Sequence, residues 1–307
     1  MLFQNRRKFL STASLAMMAS LDSFASAHPF RLAYTSGYSL KVLATNWGYE
    51  GSMDAFAAAI KKEGYDGMEV WWPGSESDQK ALFDALKKYQ LEVGFLVGGW
   101  QSDFKEHYKT FELNLQAALA NKNQRPLYVN CHSARDYFSD EQKQAFIDLT
   151  IKEAKSSGIK VLHETHRSRM LFAAHTTAPL LQRNKDMRIT LDISHWCNVH
   201  ESLLADQPDA VQLALQRTDH IHARIGHPEG PQVSDPRAKE WEGAVNAHLA
   251  WWDQVIKGKK ERGEAMTVLT EFGPPDYMWT EPHTRKPVSD QWAINAYMLQ
   301  FIKNRYR

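Results

Sequence analysis

The chain has 307 residues, 43% of them hydrophobic and 11% aromatic, enough to bury one large core, and a single domain is the default at this size. Its 37 lysines and arginines nearly balance 36 aspartates and glutamates, a net charge of +1, so phosphate-backbone binding over a large surface is not supported and no nucleic-acid partner is expected. Two cysteines, Cys131 and Cys197, make no disulfide framework and read as buried thiols.

The N-terminus reads as a targeting segment. Asn5-Arg6-Arg7-Lys8-Phe9-Leu10 precedes a weakly apolar run to Ala19 and a small-residue cleavage site, Ala25-Ser26-Ala27. This order resembles a bacterial twin-arginine export signal, which predicts a removable segment 1–27, a mature domain 28–307 and a periplasmic location. The apolar run is too short and too rich in Ser and Thr to span a membrane, so no stable membrane insertion is expected after cleavage. Removing Arg6, Arg7, Lys8 and Asp22 takes the net charge from +1 to −1.

From about Leu40 onward, strand and helix signals alternate. Candidate strands are Lys41–Thr45, Met68–Trp72, Val93–Gly98, Leu127–Cys131, Lys160–Glu164, Arg188–Ile193, His220–Arg224 and Thr267–Phe272. The clearest helix takes Ser52 as N-cap, sets Met53, Phe56, Ala57 and Ile60 on one stripe and stops at Gly64. The last, Gln291–Arg305, places Ile294, Tyr297, Met298, Phe301 and Ile302 on a stripe. Strict alternation argues for a parallel sheet covered by helices. Eight units and the absence of a Gly-rich phosphate fingerprint after the first strand favour an α/β fold closed as a (β/α)8 TIM barrel over an open doubly wound sheet.

Four of these strands end in metal-ligand residue types: Glu164 in VLHETH, Asp192 in ITLDISH, His222 in DHIHAR and Glu271 in TVLTEFG. Glu164 and Asp192 are 28 residues apart and Asp192 and His222 are 30, about one strand plus a crossover helix and loops. The longer interval to Glu271 contains a polar stretch, His227–Gly243, that reads as a loop over the same rim, where barrel enzymes shape their sites. Side chains two apart on a strand share a face, so Glu164 goes with Leu162 and His166, and His222 with His220 and Arg224. His163 falls on the opposite face, and His163 and His220 read as structural histidines.

Three carboxylates and one imidazole make a mostly hard donor set that suits one divalent ion, Mn²⁺ or Mg²⁺ first and Co²⁺ or Zn²⁺ as alternatives. Open positions on such an ion suit the adjacent hydroxyl and carbonyl oxygens of a small carbohydrate. Glu164 and Glu271, on opposite sides of the ring, can take and return a proton next to the carbonyl.

With these residues placed, the chain resembles the xylose isomerase-like TIM-barrel superfamily, which contains sugar isomerases, ketose 3-epimerases and an abasic-site endonuclease branch. The resemblance rests on the strand-end Glu164, Leu191-Asp-Ile-Ser-His195, His220-Ile-His222 and Glu271 before Phe272-Gly273. It implies that Glu164, Asp192, His222 and Glu271 bind one metal, that the two glutamates move protons, that His195 contacts substrate oxygen and that homo-oligomers occur. One departure weakens the free-ketose reading: Met170 stands where the epimerases carry a further substrate-binding glutamate.

His195, His166, Arg167, Arg224 and His227 are candidates for binding sugar hydroxyls, each equally compatible with structural hydrogen bonding. Glu69 and Trp72 are candidates for the opposite wall of the pocket, with Glu69 equally readable as a buried ion-pair partner. Trp47, Trp71, Trp100 and Trp196 also fall near strand ends, where rings either line a pocket or pack the rim. The charge run Lys257–Arg262 reads as a solvated helix end. The leading expectation is an exported metal-dependent sugar isomerase or epimerase. A lyase or hydratase acting on 3-keto sugars, an abasic-site nuclease and a non-catalytic sugar binder are its rivals.

Overall fold

A computed structural model describes residues 37–307, so the export signal read at 1–27 lies outside the described residues. Eight parallel strands close into a barrel in chain order: β1 (Ser39–Thr45), β2 (Gly67–Trp71), β3 (Glu92–Gly98), β4 (Tyr128–His132), β5 (Lys160–Glu164), β6 (Arg188–Leu191), β7 (Thr218–Ala223) and β8 (Ala265–Thr270). Closure is visible at Leu43, which stands opposite both Gly67 of β2 and Leu269 of β8. Against expectation, β6, β7 and β8 all end sooner, so Asp192, Arg224 and Glu271 sit one residue beyond their strands, at the C-terminal rim.

The helices are α1 (Met53–Glu63), α2 (Glu76–Tyr89), α3 (Phe104–Ala120), α4 (Asp140–Ser157), α5 (Ala174–Arg183), α6 (Ser194–Val199), α7 (Pro208–Arg217), α8 (Glu242–Arg262) and α9 (Gln291–Tyr306). α1 begins at Ser52, whose Oγ accepts from the Ala55 backbone at 3.2 Å, and ends at Gly64, where φ of 94° is a conformation that favours glycine. The Asp192–His222 interval holds two helices, α6 and α7, rather than one. On α9 the buried stripe is Ile294, Met298, Leu299, Ile302 and Tyr306; Tyr297 is exposed, a correction to the expected stripe. No helix among the described residues is long and apolar enough to cross a membrane.

Outward-facing strand residues such as Phe95 pack under the helices with Phe111 and Phe146. Inside the barrel, Leu43, Tyr128, Leu162 and Leu269 form a separate apolar layer. Gly94 makes room for it, because a Cβ there would lie 2.5 Å from Cζ of Tyr128. Polar side chains therefore converge above this layer, toward the strand C-termini.

Near the strand N-termini, Asp219 accepts from Arg188 Nε and Nη2 at 3.0 and 2.9 Å and from the Lys259 ammonium. This corrects the reading of Lys257–Arg262 as wholly solvated. Lys259 is buried because its stem reaches back under the barrel to a carboxylate that would otherwise lose its water unpaired. The stretch after β7 is a loop ending in a 3₁₀ turn, Lys239–Trp241, as its polar composition predicts. Gln232 ties it to the loop after β8, with Nε2 donating to the Gly273 carbonyl at 3.2 Å and Oε1 accepting from the Gly273 backbone at 2.7 Å.

Candidate metal centre and cavity

β5, β6, β7 and β8 deliver Glu164, Asp192, His222 and Glu271 to one point. Nδ1 of His222 lies 2.9 Å from Oε2 of Glu271 and 3.7 Å from Oε1 of Glu164. None of these three buried atoms has a hydrogen-bond partner. Ligand atoms of Asp192, His222 and Glu271 lie within 4.8 Å of one another, as do those of Glu164, Asp192 and His195. Unpartnered lone pairs buried together are costly unless something positive sits between them. Asp192 and Glu271 flank the Arg224 guanidinium, and Glu69 and Glu164 lie 3.2 and 3.7 Å from the His222 ring, so carboxylates outnumber the cationic groups here and the donor set fits a divalent cation in chemistry and in charge.

The other atoms of these residues are held. Oε2 of Glu164 accepts from Asn130 Nδ2 at 2.8 Å and lies 3.0 Å from Nε2 of His132. The Asp192 backbone donates to Thr165 Oγ1 at 2.8 Å, and its Oδ1 accepts from the Ser194 backbone at 3.1 Å. Nε2 of His222 faces Glu69 Oε1 at 3.2 Å and Asn130 Nδ2 at 3.2 Å. The carboxylate is the stronger partner for an imidazole N–H, so once the ring is neutral, as ligation requires, Nδ1 is the lone pair turned to the centre.

Electrostatics follow the crowding. Burial opposes the Glu164 charge, but His132 and His222 outweigh it and hold the carboxyl well below its ordinary range. Burial pushes Asp192 up to about 7, with Arg224 opposing and Glu271 and Glu164 adding to the rise. Burial also lowers His222, yet Glu271, Glu164 and Glu69 reverse the balance and raise it well above the usual histidine range.

A cavity of about 430 Å³ opens beside this point, walled by Trp47, Trp71, His132, His166, Arg224 and Tyr277, with Glu271 at its floor. Among the candidates for binding substrate, His166, Arg224 and Glu69 reach it. Arg224 is not free, however: Nη2 is held by Asp192 and lies 2.8 Å from Nε2 of His195, and Nε donates to Ser194 Oγ at 3.1 Å. His195 is buried behind Arg224 and does not line the cavity, and burial with His166 and Arg224 nearby keeps its ring neutral. Arg167 lies off the cavity wall, its guanidinium over the Tyr277 ring at 4.8 Å. His227 is buried in the β7–α8 loop, with Trp241 and Trp279 rings at 4.7 and 5.8 Å, also away from this cavity.

One further placement corrects the sequence reading. Trp72 points outward against Phe95, with ring centroids 5.0 Å apart, and the indole on the cavity is Trp71. Alternation explains it, since Glu69 and Trp71 share the inner face and Trp72 cannot. Glu69, expected at the pocket wall or as a buried ion-pair partner, lines the cavity and is buried between His220 and His222. The two structural histidines have satisfied rings. His220 lies 3.0 Å from Tyr128 Oη and 2.8 Å from Thr267 Oγ1; His163 lies 2.7 Å from Ser133 Oγ and 2.8 Å from Thr150 Oγ1. Asn130, His132 and Tyr277 are functional positions the sequence reading missed. The β4 pattern Tyr128-Val-Asn-Cys-His132 carried a signal, because alternation puts Tyr128, Asn130 and His132 on one face. Tyr277 stands in a loop with no periodicity.

No family model matches the chain, and no curated protein is similar in sequence. Solved structures are similar in fold. The apo form of 3-keto-D-glucoside 4-epimerase YcjR from E. coli aligns with a TM-score of 0.58 at 13% identity, covering 87% of this chain and 100% of that one. The probable 3-DHS dehydratase AsbF from Bacillus anthracis aligns at 0.55 and 18%, covering 87% and 100%. A xylose isomerase-like TIM-barrel protein from Mycobacterium smegmatis in complex with magnesium aligns at 0.56 and 11%, covering 87% and 98%. The chain thus has the xylose isomerase-like TIM-barrel fold.

Proposed function

We propose that this chain is a divalent-metal-dependent sugar isomerase or epimerase that moves a proton next to a carbonyl. The observation that carries the reading is the convergence of Glu164 Oε1, His222 Nδ1 and Glu271 Oε2, all buried and unpartnered, with Asp192 beside them. Glu164, Asp192, His222 and Glu271 would hold the ion. When bound, it supplies Lewis-acid stabilisation of the negative charge that develops on a sugar's carbonyl oxygen. The magnesium complex of a protein with the same fold supports an ion here, and the 3-keto-glucoside epimerase supports a sugar.

The chain's own residues supply the rest. Glu164 and Glu271 approach His222 Nδ1 from the ends of β5 and β8, with β6 and β7 between them, so that one carboxylate takes the proton and the other delivers one to the far face. Asn130 and His132 hold Glu164 through Oε2, which fixes the orientation of its carboxylate. His166 and Tyr277 wall the cavity where hydroxyls would bind. Glu164→Gln keeps a ligand oxygen but not a base. It is expected to retain metal and to lose solvent-deuterium incorporation into a keto-sugar substrate, followed by NMR in D₂O; full incorporation would remove Glu164 from the proton transfer.

One observation favours a second reading, a lyase or hydratase step on a 3-keto sugar. His132 and His166, rings 4.6 Å apart, both line the cavity, where an imidazole N–H would hydrogen-bond the oxygen of a departing β substituent. A dehydratase shares the fold. The same NMR experiment separates the two, because elimination changes carbon connectivity and epimerisation does not. The Asn5–Leu10 segment and Ala25-Ser26-Ala27 support twin-arginine export to the periplasm, for which the mature N-terminus is expected at His28.

A further inference from the structure

We infer that the cavity continues outward onto an aromatic platform of Trp71 and Trp100 that binds the second ring of a glycoside, so that the substrate is a saccharide longer than one unit. This rests on the proposal that a sugar occupies the cavity. Trp71 ends β2, lines the cavity and is 41% exposed; Trp100, in the loop after β3, is 56% exposed. Their ring centroids are 5.0 Å apart with planes at 49°. Two adjacent indoles left to solvent give up burial that their large apolar area would otherwise gain.

The loop is built to keep Trp100 there. Its backbone N–H donates to Gln101 Oε1 at 3.0 Å, and its carbonyl accepts from Arg135 Nη2 at 2.7 Å. The guanidinium of Arg169, itself buried, stands over the indole at 4.9 Å. Gly99 lets this loop lie against α3, since a Cβ there would meet the His107 ring at 2.5 Å and its carbonyl at 2.8 Å. An exposed ring tied through both backbone groups and backed by a buried cation is preorganised, and binding costs it little ordering.

The occupant follows from continuity with the cavity. The Trp71 ring stands edge-on to His132 at 5.3 Å, and His132 lies 3.0 Å from Glu164. A ring held at Glu164 therefore has its outward neighbour carried past His132 onto Trp71 and then Trp100. The electron-rich face of an indole suits the C–H face of a pyranose, and it leaves that sugar's hydroxyls in water.

The test uses the metal-loaded full domain and isothermal titration with D-glucose, maltose and cellobiose, the two disaccharides presenting both anomeric linkages. Wild type is expected to bind at least one disaccharide about tenfold more tightly than glucose. Trp100→Ala is expected to erase that preference while changing glucose affinity less than about twofold, and Trp100→Phe to keep most of it. Disaccharides binding no better than glucose, a preference that survives Trp100→Ala, or equal weakening of all three sugars with a lowered melting temperature would each overturn the platform. If wild type binds none of the three sugars, the sugar reading of the cavity falls together with the platform. If glucose binds and only the preference is missing, the platform alone falls.

Discussion

Glu69 and His222 form a pair in which the carboxylate Oε1 stands 3.2 Å from Nε2, on the side of the ring away from the Nδ1 that meets Glu271. Glu69 is buried and sits under the centre rather than in it, so its effect on a bound ion acts through the orientation and basicity of the imidazole. Glu69→Gln keeps the shape but weakens the charge-assisted contact. It is expected to lower Mn²⁺ affinity by about 10- to 100-fold with the fold intact, measured by titration calorimetry and circular dichroism. Unchanged affinity would make Glu69 a packing residue only.

Proton release on ion binding is the second expectation. Without an ion, Glu271, Glu164 and Glu69 outweigh burial and hold His222 protonated above the usual histidine range, and Asp192 is raised to about 7. Both must be deprotonated to act as ligands. Affinity should therefore rise with pH, by about tenfold per unit for each proton released: the His222 proton across neutrality, and the Asp192 proton as well below about pH 7. Titrations in buffers of different ionisation enthalpy count those protons. An affinity that does not change between about pH 6 and 8 would contradict this arrangement.

Much of the centre was legible because strands impose two rules on sequence. A crossover unit fixes the interval between successive strand ends, which is why Glu164, Asp192 and His222 were found by spacing. Alternation fixes which neighbours share a face, and it separated His163 from Glu164. The same rule, applied to β2, selects Trp71 over Trp72, and applied to β4 it selects Asn130 and His132. What the sequence could not show are side-chain pairings between different elements. Glu69 beneath His222 and Lys259 against Asp219 each pair residues more than 35 positions apart, and neither pairing has a local pattern. Tyr277 and Trp100 are placed by loops, whose course depends on partners such as Arg224 and Arg169 rather than on period.

His163 supplies a stability expectation independent of the centre. Thr150 Oγ1 donates to the Ile147 carbonyl at 2.9 Å, so it accepts from Nε2–H of His163, and Ser133 donates to Nδ1. Burial lowers this ring to about 3, so it is neutral in the folded protein, whereas in the unfolded chain it takes a proton near pH 6.5. Its folded value is the depressed one, so its full contribution is present above about pH 6.5. That contribution is lost as pH falls toward 3, at about 1.4 kcal/mol per pH unit. His163→Asn removes the titrating group while keeping a side chain that can hydrogen-bond both hydroxyls. Its unfolding free energy, measured in urea between about pH 6 and 4, should therefore fall less steeply with acid, by close to one proton's worth of slope. Parallel slopes for variant and wild type would mean that the ring is already charged in the folded state.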